Sequence, residues 1–192
     1  MGLLGWLKGS DGGANHRIVA WRREWRRAAA AADAQAITSL RSALEAQPPM
    51  AVDLELEEEM LDGLERLVAL TGELQASRLP RVETSHRVVG SDVCHYSAPA
   101  SMPEDPSQPS GRLLLTATRA VFIGGPTLTA LAWHAAGQAV HGERDLVLVR
   151  ADGTAAYRFR CNSYADALCG AAIARHLMHS ARRRQTNGDR AL

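Results

Sequence analysis

Several residue types and patterns are scarce in this 192-residue chain, and each absence narrows the class of protein. The three cysteines show no CxxC spacing, so neither a disulfide framework nor a zinc site is expected. No run of about 18 apolar residues occurs, and the start of the chain lacks a signal-peptide pattern. The net charge of +1 implies no general attraction to nucleic acid. We therefore expect a cytoplasmic protein, with attachment to the inner face of a membrane as the open alternative.

The first half of the chain shows helical periodicity. Asn15 can cap a first helix, and Pro48 would end it because proline has no N–H group to donate. Asp53 can cap a second helix, which Pro80 closes. Apolar residues three and four apart form one stripe on each helix: Ile18, Trp21, Trp25, Ala28, Ala32, Ala36, Leu40 and Leu44, then Met60, Leu61, Leu64, Leu67, Val68, Thr71 and Leu74. The pattern predicts an antiparallel helical hairpin over residues 14–80.

The second half predicts a β-domain closed by a helix. Asp152-Gly153 is typical of a two-residue hairpin turn with positive φ. Ser163, with Asp166 three residues on, predicts the start of the helix. Seven strands are predicted, at residues 93–100, 112–116, 120–124, 127–133, 135–141, 145–150 and 154–160. The fold class is therefore α+β, with the β-domain over residues 81–179 and a disordered tail at 180–192.

One stretch of this β-domain resembles a known family. Gly111-Arg-Leu-Leu-Leu-Thr-Ala-Thr-Arg-Ala-Val-Phe-Ile-Gly124 places two apolar runs around a tight polar turn, and the hairpin at 145–160 and the closing helix agree with it. Residues 92–179 thereby resemble a bacterial pleckstrin-homology-like domain of the GRAM type. The resemblance implies a seven-stranded, strongly bent barrel whose open end is plugged by the helix. Members of the family bind phosphoinositides, other membranes or proteins.

The scarcity of lysine separates this chain from the phosphoinositide-binding members of that family. Lys8 is the only lysine, so the basic loop that those members use is not visible. The corresponding loop, residues 97–111, carries Glu104 and Asp105 instead. The use of arginine and alanine in place of lysine also indicates a GC-rich, bacterial genome, which is an inference from coding bias rather than from physics.

A cluster of arginines is the first candidate site. It surrounds a tryptophan on the first predicted helix and consists of Arg22, Arg23, Arg26 and Arg27 around Trp25. Guanidinium groups on one patch would suit a phosphate or an acidic partner. The alternative is a solvated face, or pairing with the acidic run Glu55–Glu59.

The extreme N-terminus is the second candidate site. Its apolar residues stand next to one lysine: Leu3, Leu4, Trp6, Leu7 and Lys8. A glycine-rich linker follows, so residues 1–13 are predicted to be a flexible segment that contacts a membrane surface. The alternatives are that these residues pack on the hairpin or are disordered.

The reactive side chains in the sequence form no pattern that is typical of an enzyme. His176 and His179 lie one turn apart on the predicted last helix, but no third metal ligand follows at a useful spacing. Cys94 and His95 are adjacent in a predicted strand and would point to opposite faces. Neither a nucleophile elbow nor a phosphate-binding loop is present in the sequence. We predict no catalytic activity, no metal and no cofactor.

Binding by shape is the function that the sequence favours. We predict a non-catalytic interaction or scaffold protein whose partner is another protein or a second copy of the chain. The alternative is a peripheral protein that contacts anionic lipid weakly through its N-terminus and arginines. Nucleic-acid binding is disfavoured because no aromatic stacking platform accompanies the arginines.

Overall fold

The chain folds into a helical unit followed by a unit that contains a β-sheet. The computed structural model describes residues 11–46, 53–124 and 128–188, and the boundary between the two compact units falls inside the third helix, between Ala69 and Leu70. The predicted α+β class is confirmed. Every helix in the described ranges is too short or too polar to cross a bilayer.

The helical unit contains three helices, so the predicted two-helix hairpin is wrong. They are α1 (Asp11–Ala31), α2 (Ala34–Glu45) and α3 (Glu55–Gln75). The predicted first helix is interrupted at Ala32, whose φ of 49° is left-handed, and the side chain of Asp33 then caps α2 by accepting a hydrogen bond from the N–H of Gln35. The break lets α2 fold back on α1, since Nε1 of Trp21 donates to the carbonyl oxygen of Leu40 at 2.9 Å.

The predicted apolar stripes supply the core of the helical unit. Nε1 of Trp25 donates to the carbonyl oxygen of Met60 at 2.6 Å and so ties α1 to α3. The carboxylate of Asp53 accepts a hydrogen bond from the N–H of Glu55 at 3.0 Å at the start of α3, as its predicted role as a cap requires. The stripe residues that are buried are Ile18, Trp21, Trp25, Ala28, Leu40, Leu44, Met60, Leu61, Leu64 and Leu67.

The seven predicted strands form one antiparallel sheet, with ends shifted by no more than one or two residues. They are β1 (Cys94–Ser101), β2 (Ser110–Thr116), β3 (Arg119–Ile123), β4 (Leu128–Ala132), β5 (Ala136–Gly142), β6 (Asp145–Arg150) and β7 (Ala156–Cys161). Their order is β4-β3-β2-β1-β7-β6-β5. β1 joins the two halves of the sheet because it pairs with β2 along its length and with β7 at Ala100 and Ser101. Among the described residues, β4 and β5 form the two edges, so the sheet is not closed and the expected seven-stranded barrel is not observed.

The last helix, α4 (Tyr164–Gly188), covers the core face of the sheet. Its predicted cap is confirmed, because Oγ of Ser163 accepts the N–H of Asp166 at 3.1 Å and donates to the carboxylate of Asp166 at 2.8 Å. The helix continues to Gly188, beyond His179 where we expected it to end. Residues 180–188 are therefore helical, whereas 189–192 lie outside the described residues. The largest fully buried side chains of this core include Trp133, Phe122, Leu113, Leu115, Leu146 and Leu148.

The turn between β6 and β7 is longer than predicted. Gly153 has the expected positive φ, at 69°, but Asp152 does not share it. A type I′ turn needs positive φ at both central residues, so the predicted two-residue turn is wrong. Residues 151–155 form the loop, and its ends are joined by a hydrogen bond from the N–H of Arg150 to the carbonyl oxygen of Ala155 at 3.0 Å.

Candidate functional site

The exposed face of α1 carries three of the four predicted arginines. A helix turns by about 100° per residue, so Val19, Arg23 and Arg26 lie within a sector of about 60° opposite the buried stripe. Val19 is 65% exposed, and the side chains of Arg23 and Arg26 form no ion pair or hydrogen bond with any described residue. Arg27 lies beside them and pairs with Glu24 at 3.3 Å. We call this surface, defined by Val19, Arg23, Arg26 and Arg27, the α1 arginine face.

Arg22, the fourth predicted arginine, pairs with a buried carboxylate of the helical unit. Its Nε donates to Oε1 of Glu57 at 2.6 Å, and its Nη2 lies 2.5 Å from the same oxygen. Glu57 is 0% exposed, whereas Arg22 is 39% exposed. Pairing with the acidic run, which the sequence left as an alternative, therefore holds for Arg22. The other carboxylate oxygen of Glu57 has no hydrogen-bond partner among the described residues.

The candidate residues at the N-terminus lie outside the residues that the structure describes. Leu3, Leu4, Trp6 and Lys8 lie outside the described residues. Residues 11–13, which we assigned to a flexible segment, belong instead to the first turn of α1.

A cleft of about 590 Å³ opens on the outer face of β5, β6 and β7. Along β6 its lining residues Asp145 and Val147 alternate with the core residues Leu146 and Leu148, so the cleft and the core lie on opposite faces of the sheet. Its apolar part consists of Val140, Val147 and Ala156, and its charged part of Glu104, Glu143, Asp145 and Arg158. We call this concavity the β5–β7 cleft.

Asp145 organises the charges of the β5–β7 cleft. One of its oxygens accepts a hydrogen bond from Nε of Arg158 at 2.8 Å, and the other accepts one from Nε of Arg160 at 2.9 Å. Nη1 of Arg158 also lies 3.7 Å from Glu104, which is 62% exposed on the loop between β1 and β2. Burial by itself would raise the pKa of Asp145, but the hydrogen bonds from Arg160 and Arg158 outweigh it and lower that pKa. The floor of the cleft is thus an ionised, internally neutralised network at neutral pH.

Burial shifts the pKa values of several side chains elsewhere in the described ranges. Burial raises the pKa of Cys94 and raises that of Cys161 to about 12, so both thiols stay protonated at neutral pH. Nδ1 of His95 contacts the carbonyl oxygen of Pro80 at 2.6 Å. Burial lowers the pKa of His176, and His179 lowers it further. Within the described residues, no three side chains of His, Cys, Asp or Glu are placed to hold a metal ion.

The β5–β7 cleft is not predicted by the sequence, although one of its features leaves a sequence pattern. In the sequence, Arg158 and Arg160 alternate with Tyr157 and Phe159, a pattern that is typical of a strand with both arginines on its solvent face. The register between β6 and β7, which pairs Asp145 with Arg160, could not be read from the sequence. The approach of Glu104 from a distant loop is likewise a product of the folded sheet.

Comparison with known proteins adds no family. No family model matches the chain, and no curated protein matches it. The solved structures that resemble it include the C-terminal domain of an unknown protein from Leishmania infantum, with 8% sequence identity and a TM-score of 0.40. That match covers 47% of this chain and 89% of the other. A likeness this weak supports no statement about function.

Proposed function

We propose that this chain is a non-catalytic protein-interaction or scaffold module built on a pleckstrin-homology-like fold. The β5–β7 cleft carries the proposal, because its apolar walls and paired charges suit recognition by shape and electrostatic complementarity. Asp145 is occupied by two arginines and so is not poised to transfer a proton. The protonated thiols of Cys94 and Cys161 are poor nucleophiles, which supports the same reading.

The order of the elements supports the pleckstrin-homology-like part of the proposal. Four strands in sequence, β1 to β4, form one antiparallel half, and β5 to β7 form the other. The helix that follows the last strand packs on the core that both halves share. The resemblance of residues 92–179 likewise implies a C-terminal helix that packs against the strands.

Capture of partners by charge-reversed variants tests the interaction function. Glu104→Arg with Glu143→Arg changes two exposed charges of the cleft and leaves the core intact. The matched control, Asp62→Arg with Glu73→Arg, makes the same change in net charge on exposed positions of α3. A protein cross-linked to the wild-type chain in its native cells should be lost from the cleft variant and kept by the control. If both variants capture the same proteins as the wild type, the cleft is not the binding surface.

We propose attachment to an anionic membrane as the second candidate function, and the α1 arginine face favours it. The exposed side chain of Val19 can enter a headgroup region while Arg23 and Arg26, which form no ion pair with any described residue, contact phosphates. The N-terminal residues Leu3, Leu4, Trp6 and Lys8 precede this helix in the chain and would add to the contact.

Co-sedimentation with anionic vesicles at low salt tests the membrane proposal. Arg23→Glu with Arg26→Glu should abolish sedimentation, whereas Arg78→Glu with Arg183→Glu, an equal charge change at other exposed arginines, should not. A further variant, Leu4→Asp with Trp6→Ser, separates the contribution of the N-terminal residues. A wild-type protein that stays in the supernatant would exclude this function.

A further inference from the structure

The two edges of the sheet are protected to different degrees. At the β5 edge, Nη2 of Arg182 from α4 donates to the carbonyl oxygens of Gly137, at 2.8 Å, and Ala136, at 3.3 Å. The strand at the other edge, β4, has the sequence Leu-Thr-Ala-Leu-Ala, with neither a charge nor a proline. No described side chain forms a hydrogen bond to its backbone. Natural proteins usually protect such an edge, because its unpaired N–H and C=O groups can pair with another strand.

The apolar surface on the outer face of the sheet continues to the β4 edge. Leu128 is 52% exposed, and Ala130 is also exposed. Leu128 is paired with Ile123 of β3, and Ile123 packs against a buried cluster that includes Val121. The exposed residues of β4 therefore extend an existing apolar cluster into solvent, so a partner strand would remove apolar area from water as well as satisfy backbone groups.

The composition of β4 suits a second copy of itself. In a fully overlapped antiparallel pair about a two-fold axis, Ala130 faces Ala130 of the other copy, Leu128 faces Ala132, and Thr129 faces Leu131. In such a symmetric pair, a charged residue of β4 would lie opposite or near the same residue of the other copy, and the like charges would repel each other. β4 contains no charged residue, so this repulsion does not arise. The β5–β7 cleft, by contrast, borders the other edge, where a foreign segment would find charged and apolar side chains to contact.

We propose that β4 pairs with β4 of a second copy and extends the sheet across a two-fold axis in a homodimer. The proposal rests on the proposed interaction function and names a second copy as the partner of this surface. The pairing leaves the β5–β7 cleft of each copy open, so the dimer would present two equivalent clefts.

Charge substitutions at Ala130 test the dimer, since this exposed residue is at the centre of β4 and would face its own copy. By light scattering over a dilution series, the wild-type chain and the neutral control Ala130→Thr should dimerise. Ala130→Lys alone and Ala130→Glu alone should each weaken dimerisation by about tenfold or more, because like charges meet at the axis. A mixture of the two variants should dimerise again, since opposite charges then face each other.

Three results would overturn the proposal: a wild-type monomer at every concentration, dimers that persist in both charged variants, or a mixture that fails to restore them. Hydrogen exchange of the β4 amides gives a check that needs no substitution, because their protection should rise with protein concentration. A monomer whose β4 captures a foreign strand would also overturn the proposal. None of these results bears on partner capture through the β5–β7 cleft, so the two proposals can fail separately.

Discussion

Replacing Arg22 by methionine should destabilise the helical unit by about 3 kcal/mol. Glu57 is fully buried, Arg22 supplies both hydrogen-bonding contacts to its Oε1, and its Oε2 has no hydrogen-bond partner within the described ranges. Methionine keeps an apolar stem of similar length but leaves the carboxylate without a counter-charge. Breaking a buried pair costs about 3–5 kcal/mol, and the partial exposure of Arg22 places the expected loss at the lower end because water can reach the vacated position.

The companion variants separate loss of the pair from loss of packing. The double variant Arg22→Met with Glu57→Met removes both charges and should lie within about 1 kcal/mol of the wild type. Arg41→Met is the control, because Arg41 pairs with Glu65 on the exposed surface of the same unit and should contribute less than about 1 kcal/mol.

Urea unfolding followed by tryptophan fluorescence measures these effects, since Trp21 and Trp25 are buried in the helical unit. At slopes of about 1–3 kcal/mol per molar urea, the Arg22→Met variant should lose about 1–3 M from its midpoint. A loss no larger than that of Arg41→Met would refute the reasoning. So would a double variant as unstable as Arg22→Met alone, because the unpaired carboxylate would then not be the cause.

Three further predictions concern the sheet unit. Gly111→Ala should destabilise it by about 2 kcal/mol or more, because the added Cβ would collide with the carbonyl oxygen of Ile123. In the control Gly142→Ala the added Cβ meets no atom within 4 Å, so the melting temperature should change little. Gly153→Val should cost about 1 kcal/mol or more, since the φ of 69° disfavours a β-branched residue, and an unchanged melting temperature would contradict this. The pKa of Asp145 is lower in the folded protein than in the unfolded chain, where a carboxyl group has a pKa of about 4. The ionised carboxylate therefore stabilises the fold above the unfolded pKa, and this stabilisation is lost as the pH falls through the folded pKa. In pH-dependent denaturation, Asp145→Asn should therefore flatten the acid limb of the stability curve, and an unchanged limb would exclude this carboxylate as its source.

Local patterns predicted most of the secondary structure. The strand β6 was predicted at its observed ends, because a continuous apolar run between polar turn residues is a short-range signal. The predicted cap of α4 is confirmed for a similar reason, since Ser163 and Asp166 interact within one helical turn. The stripe residues Trp21 and Trp25 are buried as predicted because a spacing of three and four residues defines a helix face whatever that face packs against.

Errors arose where distant residues decide the conformation. A continuous stripe across Ala32 is compatible with one long helix, and only packing of α2 against Trp21 favours the break. The sequence shows Glu57 only as one member of the acidic run Glu55–Glu59, whereas its burial beneath Arg22 depends on the juxtaposition of α1 and α3. The predicted turn at Gly153 is shorter than the observed loop. The sequence indicates which residue takes positive φ, but it does not show how many residues separate the paired strands.

The sequence by itself determined the elements of this protein: amphipathic helices, seven strands, a capped final helix and a surface arginine cluster. These follow from side-chain periodicity and from the backbone preferences of a few turn and cap residues, which act over three or four positions. Tertiary structure alone decided which arginine pairs with a buried carboxylate and how Glu104, Asp145 and Arg158 meet in a cleft. It also decided which edge of the sheet has no hydrogen-bonding partner among the described residues. Those outcomes depend on strand order, register and helix packing, which bring together residues tens of positions apart and therefore leave no local pattern to read.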